Sequence, residues 1–181
     1  MNAVVALSVL ICVPLSGAGR TESPPFVEVG VDQVQRQENL ITLHVVVKNR
    51  GPDPVFLETD FFNYYKEPHT VYVQQLSSAG SWIFVGPSID VPPERLIKLN
   101  AGDSLRHTVY LIDPYTGPRG GTRPGVPLGG RMHRVVVEYY LSERDWQTYR
   151  GYIAKSHGRG KKPPIEPKIA VSQTFEIPGV G

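Results

Sequence analysis

With 181 residues, 40% of them apolar, and a formal net charge of +2, the chain has room for one well-packed domain and shows no overall bias toward polyanions. Its single cysteine, Cys12, excludes a disulfide framework. If Cys12 leaves with a cleaved leader, thiol nucleophiles and thiolate metal sites are excluded as well.

Residues 1–18, MNAVVALSVLICVPLSGA, form an apolar run ending in small residues, the pattern of a signal peptide cleaved after Ala18. The run falls short of the ~20 apolar residues a spanning helix needs, so no transmembrane anchor is expected after cleavage. The chain is therefore expected outside the cytoplasm, secreted or periplasmic. Residues 19–25 read as a linker and 26–178 as one domain.

Phe26 to Val31 alternates valines against Glu28 and Gly30, a first strand, and Asp32 to Asn39 reads as a polar connection. Leu40 to Lys48 places Ile41, Leu43, Val45 and Val47 on one face, the period of a half-buried strand. The turn string Asn49-Arg50-Gly51-Pro52-Asp53-Pro54 leads to a short strand, Val55 to Glu58. Further strands are expected at Thr70 to Leu76, Ser81 to Val85, Ser104 to Ile112, His133 to Leu141 and Ile169 to Ile177.

Turns at Ser78-Ala79-Gly80-Ser81 and Asn100-Ala101-Gly102-Asp103 separate some of these runs. Trp82 is expected to plug the core with Phe84 beside it. Eight such strands with no βαβ alternation suit an all-β fold, an immunoglobulin-like antiparallel β-sandwich of seven to eight strands.

Three segments depart from the strand pattern. Thr59 to His69 carries Phe61, Phe62, Tyr64 and Tyr65 and is expected to lean on the core. Asp113 to Arg131 holds six glycines and four prolines and reads as a flexible loop. Ser142 to Lys168 opens as a helix, with a capping Ser142, acids Glu143 and Asp145, and Trp146, Tyr149 and Ile153 at helical spacing. Gly151 argues for a stop after one or two turns, so a short helical insertion is expected before the last strand.

The runs VVVKNRGPDPVFL, LNAGDSLRHTVYL and SQTFEI resemble the bacterial immunoglobulin-like or fibronectin-like sandwich domains of exported proteins, with Ala101 where those families carry proline. Asn49-x-Gly51-x-x-Pro54-Val55, Gly80-Ser81-Trp82 and the entry to the strand at Ser104 are also similar to BsuPI-type proteinase inhibitors. The resemblance implies a sandwich and, as one alternative, protease inhibition. It identifies no inhibitory loop.

Enzyme chemistry finds little support. The histidines, His44, His69, His107, His133 and His157, lack metal-ligand spacing, and no Gly-x-Ser-x-Gly elbow occurs. Nothing singles out a pair among carboxylates such as Asp60, Glu67, Asp90 and Glu138, so an unfamiliar hydrolase stays a remote alternative. Gly117-Pro118-Arg119-Gly120-Gly121 lacks the strand-then-helix frame of a phosphate cradle. No metal, cofactor or nucleic acid is expected.

The distinctive charge feature is Gln147 to Lys168. Six cations, Arg150, Lys155, Arg159, Lys161, Lys162 and Lys168, stand against the single acid Glu166, a net of +5 in a chain whose total is +2. Tyr149 and Tyr152 interleave with them, a combination suited to stacking while pairing with anions. Tyr149, Arg150, Tyr152, Lys155, Arg159, Lys161 and Lys162 are thus the candidate contacts of an exported non-enzymatic module for an unidentified protein or anionic envelope component. If the loop holding Arg119, Arg123 and Arg131 shares their end of the sandwich, the two form one basic surface.

Overall fold

The computed structural model describes residues 26–58, 71–86, 96–114, 125–156 and 162–179. The leader, the linker and the aromatic segment 59–69 lie outside them. Among the described residues the chain is an all-β antiparallel sandwich of ten strands with one helix: β1 (Val27–Gln37), β2 (Leu40–Asn49), β3 (Val55–Leu57), β4 (Val71–Leu76), β5 (Trp82–Gly86), β6 (Ile97–Leu99), β7 (Ser104–Ile112), β8 (Arg131–Tyr139), α1 (Glu143–Ser156), β9 (Lys168–Val171) and β10 (Phe175–Ile177). One sheet has the order β1-β2-β7. The other runs β10-β8-β4-β5, with β9 also on β8, and β3 pairs with β6 in a small ladder.

The core follows from the period-2 pattern. Ile41, Leu43, Val45 and Val47 of β2 are fully buried, facing Val71 and Val73 of β4 and Val135 and Val137 of β8 across the two sheets. Each such side chain removed from water stabilises the fold by about 1.5–3 kcal/mol.

Several elements differ from expectation for local physical reasons. Asp32 to Gln37 continues β1, because an edge strand can keep polar side chains while its backbone pairs: Gln33 lies opposite His44 and Gln37 opposite Leu40. A bulge between Val31 and Gln33 resets the register, and Glu38 closes the hairpin at φ 55°. The strand at Ile97 to Leu99 is too short to show a period and exists through its ladder with β3. The last strand is two, interrupted at residues 172–174, where Ser172 holds the ladder by side chain and backbone: Val135 N donates to Ser172 Oγ and Ser172 N donates to Val135 O, both at 2.9 Å.

Trp82 is half-buried on the outer face, not in the core. The register shift between Val73 and Gln74 turns it outward beside Leu76, where the Arg134 guanidinium covers its ring at 4.2 Å. Phe84, also outside, is 41% exposed and meets Tyr72. The Gly-rich connection is anchored where it is described: Leu128 is fully buried and Gln75 Nε2 donates to Pro127 O at 2.6 Å. Residues 115–124 lie outside the described residues.

Two polar clusters tie the sandwich. Asn49, fully buried, donates from Nδ2 to Asp53 O at 2.8 Å and to Leu99 O at 3.0 Å, and its Oδ1 accepts from Gly51 N at 2.9 Å. Its backbone exchanges bonds with the next turn, Asn49 N to Asp103 O and Gly102 N to Asn49 O. At the other end, the Asp113 carboxylate accepts from Arg36 Nη2 at 2.7 Å, Leu128 N at 2.9 Å and Gly129 N at 3.3 Å, while Arg36 Nη1 also donates to Pro178 O. Burial pushes the Asp113 carboxyl up, but the two amides and the guanidinium outweigh it and hold it below its usual range.

Replacing Asn49 by Ala should lower stability by roughly 2–4 kcal/mol, since the carbonyls of Asp53 and Leu99 lose their donor and the loss of volume adds to the cost. Urea denaturation checks this; a change below about 0.5 kcal/mol would refute it. A second prediction concerns acid. His133 is fully buried, and Nδ1–H donates to Arg131 O at 2.8 Å. Burial pushes its pKa down to about 4, against the Arg131 carbonyl and the Asp113 charge that favour protonation. The unfolded chain therefore takes up the proton first, and stability should fall by on the order of 3 kcal/mol between pH 6.5 and about 4. Below that window Asp113 adds its own loss as pH falls through its depressed value. Stability measured across pH should show the first slope in the wild type and not in His133→Gln.

Candidate functional site

The helix forms where its caps and dipole favour it. Ser142 Oγ accepts the Asp145 N–H at 3.1 Å, Glu143 and Asp145 occupy the first turn and Lys155 the last. It runs through Gly151 to Ser156, four turns instead of one or two. The glycine is tolerated there, and a Cβ at Gly151 would meet no atom within 4 Å. Helix propensity alone disfavours glycine, but neighbouring contacts hold the segment.

Those contacts explain two of the candidate residues. Arg150 Nη2 lies 2.6 Å from Glu58 Oε1 just after β3, with both side chains largely covered. The Tyr149 ring packs tilted against Tyr140, centroids 5.8 Å apart, and the N and O of Tyr140 exchange bonds with Phe56. Tyr149 and Arg150 thus pin α1 to the end of the sandwich. Burial, then the charge of Glu58, raises the Tyr140 hydroxyl far above its ordinary value, so it stays neutral. Tyr152 is half-buried and Lys155 exposed on the same helix. Arg159 and Lys161 lie outside the described residues.

Beside the helix start, the segment returning to β9 closes a cleft of about 410 Å³. Tyr139 and Tyr140 are buried beneath it, and Leu141, Asp145, Lys162, Ile165 and Lys168 are among its walls. Lys162 is exposed and lies 3.5 Å from Glu166 Oε1. The described residues lining the cleft combine charged side chains with apolar contact and include no histidine, serine or cysteine. Among the described residues no three His, Cys, Asp or Glu side chains group as metal ligands, and no helix is long and apolar enough to cross a membrane.

The structure brings Lys162 and Lys168 to the cleft and separates them from Arg131, at the described end of the Gly/Arg loop. Arg131 opens β8, whereas Tyr139, at the other end of the strand, pairs with Lys168. Nine residues of strand put roughly 25–30 Å between those ends, so Arg131 does not join the surface of α1. The stretch Gln147 to Lys168 already contains Lys168 and the Pro163-Pro164-Ile165 wall, though not singled out as contacts, whereas Leu141 and Asp145 lie outside it. The signal available for the wall was its proline pair, which fixes φ and holds a connection extended.

The residues behind the inhibitor resemblance have architectural roles. Asn49 binds Gly51 and the turn at Asn100 to Asp103, Gly51 N also donates to Phe26 O, and Trp82 lies under Arg134. None of them lines the cleft.

What these elements define is an all-β sandwich domain with a helix-bearing connection. No family model matches the chain, and no curated protein does. Among solved structures it is similar to a penta-heme cytochrome c552 from Thermochromatium tepidum, at 10% identity and a TM-score of 0.40 over 84% of this chain and 40% of that one. It is also similar to β-glucosidases from Listeria innocua (14% identity, TM-score 0.31, 84% of this chain and 16% of that one) and Kluyveromyces marxianus (14%, 0.31, 84% and 14%). The chain spans less than half the length of each, and these likenesses carry no functional argument.

Gly151→Ala should stabilise the domain by about 0.5–1 kcal/mol, because the helix interior there leaves space for a methyl group and loses less backbone entropy. Thermal unfolding checks this. A lower Tm would mean that the glycine serves packing.

Proposed function

We propose that this chain is an exported, non-enzymatic binding module that meets an anionic partner, a protein or an envelope component, at the helix-bearing end of its sandwich. The observation that carries the reading is the concentration of six cations against the single acid Glu166 in residues 147–168, the connection from within α1 to the first residue of β9, with the rest of the chain at a net of −3. Lys155, Lys162 and Lys168 of that connection are exposed, and two of them border the cleft. Arg150 is spent on Glu58, so its role is to seat the helix that carries the others.

A surface of this kind binds through many small, screened attractions, so its affinity falls with salt. Retention of residues 19–181 on cell-envelope fractions should be strong at low salt and lost at high salt. The double variant Lys162→Glu/Lys168→Glu should weaken low-salt retention by about tenfold or more, as expected when attraction at two positions becomes repulsion. Equal retention of the variant would overturn the reading.

A further inference from the structure

The opposite charge character appears along the other free margin of the sandwich. Strand β1 is an edge: among the described residues it pairs only with β2. The direction of its backbone groups follows from the ladder. Asn49 directs its N–H and C=O toward the β7 side, through Asp103 and Gly102. Alternation then aims Lys48 and Val46 at β1, where they face Glu28 and Gly30, and Phe26 O accepts from Arg50 N in the same phase. Val29 and Val31 therefore point their N–H and C=O away from the sheet. Beyond the bulge Gln33 faces His44, so Val34 points outward too.

Along this edge runs a groove of about 530 Å³, with Val29, Gly30 and Asp32 on one wall and Ile169, Val171 and Phe175 on the other. Ile169 is 60% and Val171 44% exposed, high values for strand residues of this type. A side chain at Gly30 would meet nothing within 4 Å. The titratable residues that line the groove are acids, Glu28 and Asp32; Arg50 pairs with the first, and Asp32 is exposed.

We propose that the Val29 to Val34 edge captures an extended segment of another protein by strand addition, a segment that alternates apolar side chains with at least one lysine or arginine. Only an extended backbone offers donors and acceptors at the spacing of the outward groups of Val29 and Val31. The apolar side chains would pack on Val171 and Phe175, and the cation would face Asp32. A second copy of this chain meets a charge conflict in the register that pairs Val29 with Val31. Antiparallel self-pairing centred on Gly30 would set Glu28 of each copy opposite Asp32 of the other, and like charges directly opposed across strands are destabilising. This edge is distinct from the helix-bearing cleft, and the inference stands apart from the function proposed for that end.

The test is selection of a displayed library of short random peptides on residues 19–181, with amide hydrogen exchange of the complex. Selected peptides should alternate β-branched or aromatic residues with Lys or Arg, and binding should slow exchange at Val29, Val31 and Val34 while leaving Gly30 and Gln33 unchanged. Val31→Pro removes an outward N–H without touching the β2 ladder and should weaken selected peptides by about tenfold. Asp32→Lys, at an exposed position, provides a second variant that keeps the fold and should abolish the preference for cations. No enrichment, protection elsewhere, equal binding to Asp32→Lys, or dimerisation through this edge would each overturn the proposal.

Discussion

The side-chain amide of Asn49 is the contact on which the arrangement of the sandwich depends. It sits at the point where β2 ends and the chain must leave one sheet, and it satisfies carbonyls from Asp53, four residues on, and Leu99, fifty residues on. A carbonyl buried without a donor costs about as much as a lost hydrogen bond, so turn, β6 and strand end are obliged to meet there. Gly51 completes the motif for a steric reason: a Cβ there would lie 2.1 Å from the Phe26 ring. The start of β1 is thereby closed onto the same turn, and the position of the β1 edge follows from it.

A comparable constraint operates at the opposite pole, where Arg36 and Asp113 bind the far end of β1, the end of β7, the amides at 128–129 and the carbonyl of Pro178. Near this pole Gln75 and His133 form a fully buried polar cross-strand pair. His133 Nε2 and Gln75 Oε1 find no donor among the described residues. Polar side chains placed there leave this end of the β4-β8 ladder sensitive to protonation, while the poles rest on bonds that need a neutral amide or an ionised carboxylate.

Much of this was legible in the sequence. The strands with long alternation, β2, β4, β7 and β8, stand close to where the pattern puts them, because a buried face imposes its period. The polar half of β1 was not legible, since an edge strand is held by backbone bonds that leave no hydrophobic trace. The same holds for β6, and for the break at Ser172, whose hydroxyl substitutes for a ladder partner. Trp82 was misread because one bulge reverses the face of everything beyond it. For the candidate site, the charge of the connection was visible, but its internal division was not. That Arg150 is engaged by Glu58, and that Tyr149 packs on Tyr140, depends on residues distant in the chain.

The connection between β8 and β9 has a further consequence for how the domain tolerates change. Its two ends are held as cross-strand neighbours, Tyr139 opposite Lys168, and its helix is tied back to the sandwich by Arg150 on Glu58 and Tyr149 on Tyr140. Loop closure costs grow slowly, about 0.6 kcal/mol for each doubling of length. Positions of the connection other than those anchors can therefore be exchanged or extended at small cost while the sheets stay in register. Change in that segment is thereby separated from the pairing that holds the sheets together.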